Sequence, residues 1–207
     1  MIIMNIQLSL YKIEQENFLN YLSLLEKTLK KHRKNMEKWL KEQKSKIIKD
    51  GGPDFFASIE ESEYESLERH SNLAFESFAV WLYAYLENEL NQVCNRFTLR
   101  QKSTLELSNI AGKGIERSRI FMKKVAKWQL PKEDLWRELI FLRDIRHAIV
   151  HNGRIIKKPK LKTFINKQNK DEIFCLPNGR IVLNKEFCVK LTNFVFDYLE
   201  ELSEIQN

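Results

Sequence analysis

Apolar side chains crowd round much of one helical circumference between Leu67 and Val93: Leu67, Leu73, Phe75, Phe78, Trp81, Leu82, Tyr85, Leu86, Leu90 and Val93. A helix that is apolar over so wide an arc is the buried centre of a bundle. Read as one helix over about 60–96, this stretch constrains the fold more than any other feature. A first helix precedes it. Ile13, Phe18, Leu22, Leu25 and Leu29 recur at spacings of three to five and predict one apolar face. Met36, Trp39, Leu40 and Ile47 continue the pattern weakly, until Asp50-Gly51-Gly52-Pro53 stops it. With only 6 Gly and 4 Pro in 207 residues, there is little room for a loop-rich β fold.

Further helices follow. Residues 103–110 predict a short one, Gly112-Lys113-Gly114 a hinge, and 115–128 another helix. Pro131, with Glu133 and Asp134, marks the start of the next: Pro in the first turn, acids at the positive end of the dipole. That helix carries Leu135, Leu139, Leu142, Ile145 and Ile149 to His151, where Asn152-Gly153 supplies a left-handed stop. After a basic connector, EIFCLPNGRIVL (172–183) reads as a hairpin about Pro-Asn-Gly. A last amphipathic helix over 185–205 carries Phe187, Leu191, Phe194, Val195, Tyr198, Leu199 and Leu202. The expected fold is all-α: an antiparallel helical bundle with a small β-hairpin before the last helix. It divides into a long basic N-terminal helix over 1–50 and a bundle domain over 54–207.

Charge is unevenly placed. The net charge is +7; residues 27–49 hold ten Lys or Arg against Glu37 and Glu42, and 54–76 hold seven acids against Arg69. Residues 154–170 hold seven bases and no acid. Separated basic faces suit a polyanion such as nucleic acid; the competing reading is a solvated, Lys-rich surface. The candidate RNA contacts are Lys30, Lys31, Arg33 and Lys34 on the first helix, with Arg143, Arg154, Lys157 and Lys158 in and just after the helix that ends at His151. The three cysteines, Cys94, Cys175 and Cys188, form no CxxC pair and point to neither a disulfide framework nor a zinc ribbon. No apolar run approaches the roughly 18 residues of a membrane span. The N-terminus lacks a basic leader, so a cytoplasmic protein without a membrane is expected.

Two of the four histidines stand one helical turn apart in LRDIRHAIVHNGR, residues 142–154. Histidine exchanges protons near neutral pH. Arginine carries a permanent charge on a planar fork suited to phosphate. Arg146 with His151, supported by His147, therefore fits metal-free cleavage of a phosphodiester through its 2′-hydroxyl. At about 100° per residue, however, Arg146 and His151 lie roughly 140° apart on an ideal helix. A reaching side chain, a distorted helix end or a cleft shared by two chains would bring them together. The bland alternative is a helix C-terminus where Arg and His simply favour the dipole. No acid or third ligand stands beside the histidines, so no metal and no cofactor are expected.

Arg146-His147 followed by His151, near the end of a bundle helix, resembles the motif of the HEPN superfamily: Arg, a polar residue, a few residues, then His. FESFAVWLYAYLENELNQVC (75–94) resembles the core helix that precedes it there, and the resemblance covers about 60–205. It implies a metal-independent endoribonuclease of a toxin or phage-defence system. It also implies a homodimer whose two motifs face one cleft, with RNA as substrate and an antitoxin or defence protein as a further partner. In one subset a tyrosine two residues after the His is a modification target; Gly153 stands there in this chain, which sets it apart from that subset. The alternatives are a non-catalytic HEPN-like protein that binds RNA or nucleotide, and a helical protein that docks a partner. Trp81, Tyr83 and Tyr85 read as core or dimer surface. Glu87 and Glu89 read first as solvated or paired with the N-terminal helix, and second as groups that position Arg146. Lys113 lacks the setting of a phosphate loop, and Cys94 reads as buried and inert.

Overall fold

The computed structural model describes residues 2–167 and 173–205. The first helix, α1, spans Ile2–Gln101 but is broken at Gly52, whose φ of 85° and ψ of 172° are not helical. Only a residue without Cβ takes such a φ cheaply. Pro53, next in line, has no N–H to carry the helical ladder on. The chain reverses there into two arms. Tyr11 donates to Glu89, Phe18 stacks on Trp81 with ring centroids 4.1 Å apart, and His32 faces His70. Contacts therefore descend one arm as they climb the other, and the arms are antiparallel.

Each arm holds about 50 residues, or roughly 75 Å of helix, which is longer than the bundle they enter. Near the break they pack only on one another, through a small cluster of Met36, Leu40, Phe56 and Leu67. At the other end they enter the main core with four more helices. These are α2 (Gly114–Lys124), α3 (Glu133–His151), α4 (Pro159–Asn166) and α5 (Lys185–Ile205). Two three-residue strands, β1 (Ile173–Cys175) and β2 (Ile181–Leu183), pair antiparallel before α5, with Phe174 opposite Val182. The fold is an all-α helical bundle. No helix among the described residues is long and apolar enough to cross a membrane.

The core explains these positions. Leu82, Leu86 and Leu90 are fully buried on the second arm, against Phe187, Leu191, Val195 and Leu199 of α5. Tyr11, Phe18 and Leu22 belong to the same core, so the basic N-terminal helix expected over 1–50 is partly built into the bundle. Of the expected apolar face, Phe18 and Leu22 are buried and Leu29 packs on the core, but Ile13 is 54% exposed, in a second apolar stripe with Ile6, Leu10, Tyr21 and Leu24.

Other boundaries differ from expectation. The second arm is helical from directly after the break, not from about 60. The helix expected over 103–110 shrinks to one 3-10 turn at Leu107–Asn109, and the one expected over 115–128 ends at Lys124. The basic connector contains α4, whose Leu161, Phe164 and Ile165 are buried; Phe164 stacks on Phe141 of α3 with centroids 3.8 Å apart. Residues 168–170 of that connector lie outside the described residues.

Candidate functional site

Helix α3 buries Trp136, Leu139, Leu142, Ile145 and Ala148, one residue every turn. This stripe seats the helix on the core and turns Arg146, His147 and His151 outward. Arg146 is half-buried, while both histidines are exposed. The helix ends because Gly153 and Arg154 both take left-handed φ, 57° and 72°. The Asn152 and Arg154 amides both donate to the Ala148 carbonyl, at 3.2 and 2.9 Å.

Arg154 holds this turn from behind. Its Nε lies 2.8 Å from Glu76 Oε2, and Glu76 is only 2% exposed on the second arm of α1. Its carbonyl accepts the Ile181 amide at 3.1 Å, tying the turn to β2. Burial raises the pKa of the Glu76 carboxyl, and the Arg154 charge opposes that shift. The pair is a structural bolt, so Arg154 is not placed as a free RNA contact.

The Arg146 side chain reaches round the helix, and Nη1 lies 3.1 Å from His151 Nε2. The 140° separation is thus spanned within one chain. The His147 and His151 rings lie beside each other, tilted by 46° with their centroids 4.9 Å apart. On its other side the Arg146 guanidinium lies 5.8 Å from the centre of the Tyr83 ring, at the long end of cation–π distances.

Beside Arg146 and His147 opens a cleft of about 390 Å³ between the second arm, the start of α2 and α3. Tyr83 and Glu87 of the second arm line it, with Lys113 and Glu116 at α2. Arg143, Asp144 and Lys158 close its far side. His151 is not part of this lining and touches it only through Arg146. Arg143 is held by Asp144, at 2.8 and 2.9 Å, and by Glu116. Lys158 lies 2.7 Å from the same Asp144 oxygen. These two expected RNA contacts therefore neutralise acids in the cleft.

Gly114 lets the wall close. Its φ is 58°, and a Cβ there would lie 2.9 Å from the Tyr83 hydroxyl. Burial, then the Glu87 charge, raises the pKa of that hydroxyl. Of the two acids expected near Arg146, Glu87 lines the cleft, whereas Glu89 points elsewhere and accepts the Tyr11 hydroxyl at 3.4 Å.

The first-helix cations stand apart. Lys31, Arg33 and Lys34 are exposed, and Lys30 pairs with Glu26 at 2.8 Å. They lie opposite the His70 region of the second arm, about 13 residues or roughly 20 Å of helix from Tyr83. Lys157 is exposed on the connector after α3. Trp81 and Tyr85 pack on Phe18 away from the cleft. Cys94 is buried, its thiol pushed up to about 12 by burial. Among the described residues no three His, Cys, Asp or Glu side chains gather as a metal site.

The sequence alone does not single out Tyr83, Glu116, Asp144 or the steric role of Gly114 as parts of a cleft. The Gly112-Lys113-Gly114 hinge is their signal, since a hinge before a helix brings that helix's start against a neighbour. Searches of protein-family models, curated proteins and solved structures each find no match to this chain.

Proposed function

We propose that the chain is a metal-independent endoribonuclease. The observation that carries this reading is the 3.1 Å approach of Arg146 Nη1 to His151 Nε2 at an exposed helix end, with His147 beside them. An incoming phosphate would take the guanidinium's donors, leaving the His151 Nε2 lone pair to accept the proton of the 2′-hydroxyl. The 2′-oxygen then bonds to phosphorus as the bond to the 5′-oxygen breaks. His147, in its protonated form, is the supporting residue that returns a proton to the departing 5′-oxygen. Arg146 offsets the negative charge that grows on the phosphoryl oxygens. The products are a 2′,3′-cyclic phosphate and a 5′-hydroxyl.

The likeness of the motif and core helix to the HEPN superfamily supports a role as a toxin or phage-defence effector restrained by a partner protein. A second copy of the chain is the other partner in this reading. The exposed stripe of Ile6, Leu10, Ile13, Tyr21 and Leu24 is a surface that a copy could cover. The test is incubation of the purified protein with mixed RNAs in EDTA. Cleavage leaving cyclic phosphate ends supports the reading; loss of activity on chelation, or 5′-phosphate ends, overturns it.

A further inference from the structure

We infer that the cleft beside Arg146 is a guanine site, with Glu87 and Lys113 reading the base; as a substrate subsite it rests on the ribonuclease reading. Most charges in the cleft already have partners. Arg143 binds both Glu116 and Asp144, and Lys158 adds a second bond to Asp144. Glu87 is the one acid of the lining with no ion pair or hydrogen bond among the described residues. On the cationic side Lys113 is likewise unengaged, and Arg146 faces the His151 end. Both free groups line this one cleft, and the place a Gly114 Cβ would occupy is 3.6 Å from Glu87 Oε1.

An ionised carboxylate only accepts hydrogen bonds, and an ammonium only donates them. The cleft therefore offers a carboxylate, whose two oxygens can accept from a pair of adjacent donors, and an ammonium that donates. Guanine matches this along one edge, where N1–H and the 2-amino group donate side by side and O6 accepts next to them. Adenine and cytosine carry one amino donor on this edge with a ring nitrogen lone pair next to it, so a carboxylate taking two bonds from the edge would face that lone pair. Uracil sets a carbonyl on each side of its single N–H. Unstacked bases of single-stranded RNA are read along these edges. The volume of about 390 Å³ lies within the range of small-ligand sites. Because Arg146 borders the cleft and reaches His151, the base would belong to a nucleotide adjoining the phosphate that is cut.

Two arms test this. In the first, guanosine 3′-monophosphate and adenosine 3′-monophosphate are titrated by NMR into the full chain and into Glu87→Gln, which keeps the size but replaces an acceptor by a donor. The expected result is roughly tenfold or greater preference for the guanosine nucleotide in the native chain, the scale of one good bidentate contact. That preference should fall to near parity in the variant. Lys113→Met, which removes the donor for O6, should also reduce it and serves if Glu87→Gln does not fold. Equal affinities in the native chain, or an unchanged preference in both variants, overturns the guanine site. In the second arm the native chain cuts RNAs carrying a single guanine. Cleavage beside the guanine supports the subsite. Guanosine preference without any RNA cleavage supports the guanine site and overturns the ribonuclease reading. Cleavage at all steps alike overturns the subsite and leaves that reading standing.

Discussion

Arg146 Nη1 lies 3.1 Å from His151 Nε2 although five residues of helix separate them. A guanidinium has no lone pair to offer, so the imidazole must accept at Nε2 and carry its proton on Nδ1. Neutral His151 is therefore expected as the Nδ1–H tautomer. Long-range proton–nitrogen NMR at alkaline pH reads this directly. In Arg146→Ala the population should move toward Nε2–H. A native spectrum already dominated by Nε2–H would contradict the contact.

The same pair sets the effect of truncation. Arg146→Ala removes charge stabilisation and His151→Ala a proton carrier, losses of roughly 10²- to 10⁴-fold each. Because one is half-buried and the other exposed at a helix end, neither should cost more than about 1 kcal/mol of stability. The checks are the rate on a defined RNA and denaturant unfolding of each variant. Two stable variants that retain the native rate would place the chemistry elsewhere.

Gly153 and Gly114 have nearly the same left-handed φ, 57° and 58°, but different surroundings. A Cβ on Gly153 would meet nothing within 4 Å, while one on Gly114 would lie 2.9 Å from the Tyr83 hydroxyl. Gly153→Ala should therefore lose only the conformational term, about 1–2 kcal/mol. Gly114→Ala should lose more, since the Tyr83 ring must shift as well. Equal losses on urea unfolding would mean that the cleft wall yields to an added methyl group.

What could be read in the sequence follows from where the physical signal lies. Helix α5 is bounded as expected at 185–205 because its ends are local: Asn184 Oδ1 accepts the Phe187 amide at 3.0 Å, a cap next to an apolar run. The break at Gly52-Pro53 is equally local. The first arm is harder, since apolar residues line two faces and periodicity alone does not say that Tyr11 rather than Ile13 meets the core. Helix α4 hides in a Lys-rich connector, with Pro159 in its first turn as the only marker. At the site, the Arg146–His151 spacing is visible in one short stretch. The engagement of Arg143 by Glu116, and of Arg154 by Glu76, joins residues 27 and 78 positions apart that no local pattern links. Basic residues near the motif therefore read as RNA contacts where the fold uses them as ion pairs.

The first-helix cations remain the better candidates for phosphate. Replacing Lys30, Lys31, Arg33 and Lys34 by Gln should weaken RNA binding and flatten its salt dependence. The expected change in the log–log slope is roughly 0.7 for each single-strand phosphate no longer neutralised. Lys30 is held by Glu26, so the other three should carry most of the change. Titrations at several salt concentrations decide it, and an unchanged slope would return this segment to an ordinary solvated surface.

In a dimer, the in-chain contact changes what mixing experiments should show. A cleft shared by two chains would answer the separation of Arg146 and His151 on an ideal helix, but their contact within one chain removes that need. If the working unit is the pair within one chain, mixing Arg146→Ala with His151→Ala chains should restore nothing. Each chain of a mixed dimer lacks one half of its own pair. A dimer of one native chain with one doubly substituted chain, Arg146→Ala/His151→Ala, should instead retain about half the native rate if each in-chain pair works independently. Subunit exchange confirmed by native mass spectrometry, followed by single-turnover cleavage, separates the two designs. Recovery in the complementary mixture would show that Arg146 of one chain serves His151 of another, and the 3.1 Å contact would then describe a resting arrangement that assembly rearranges.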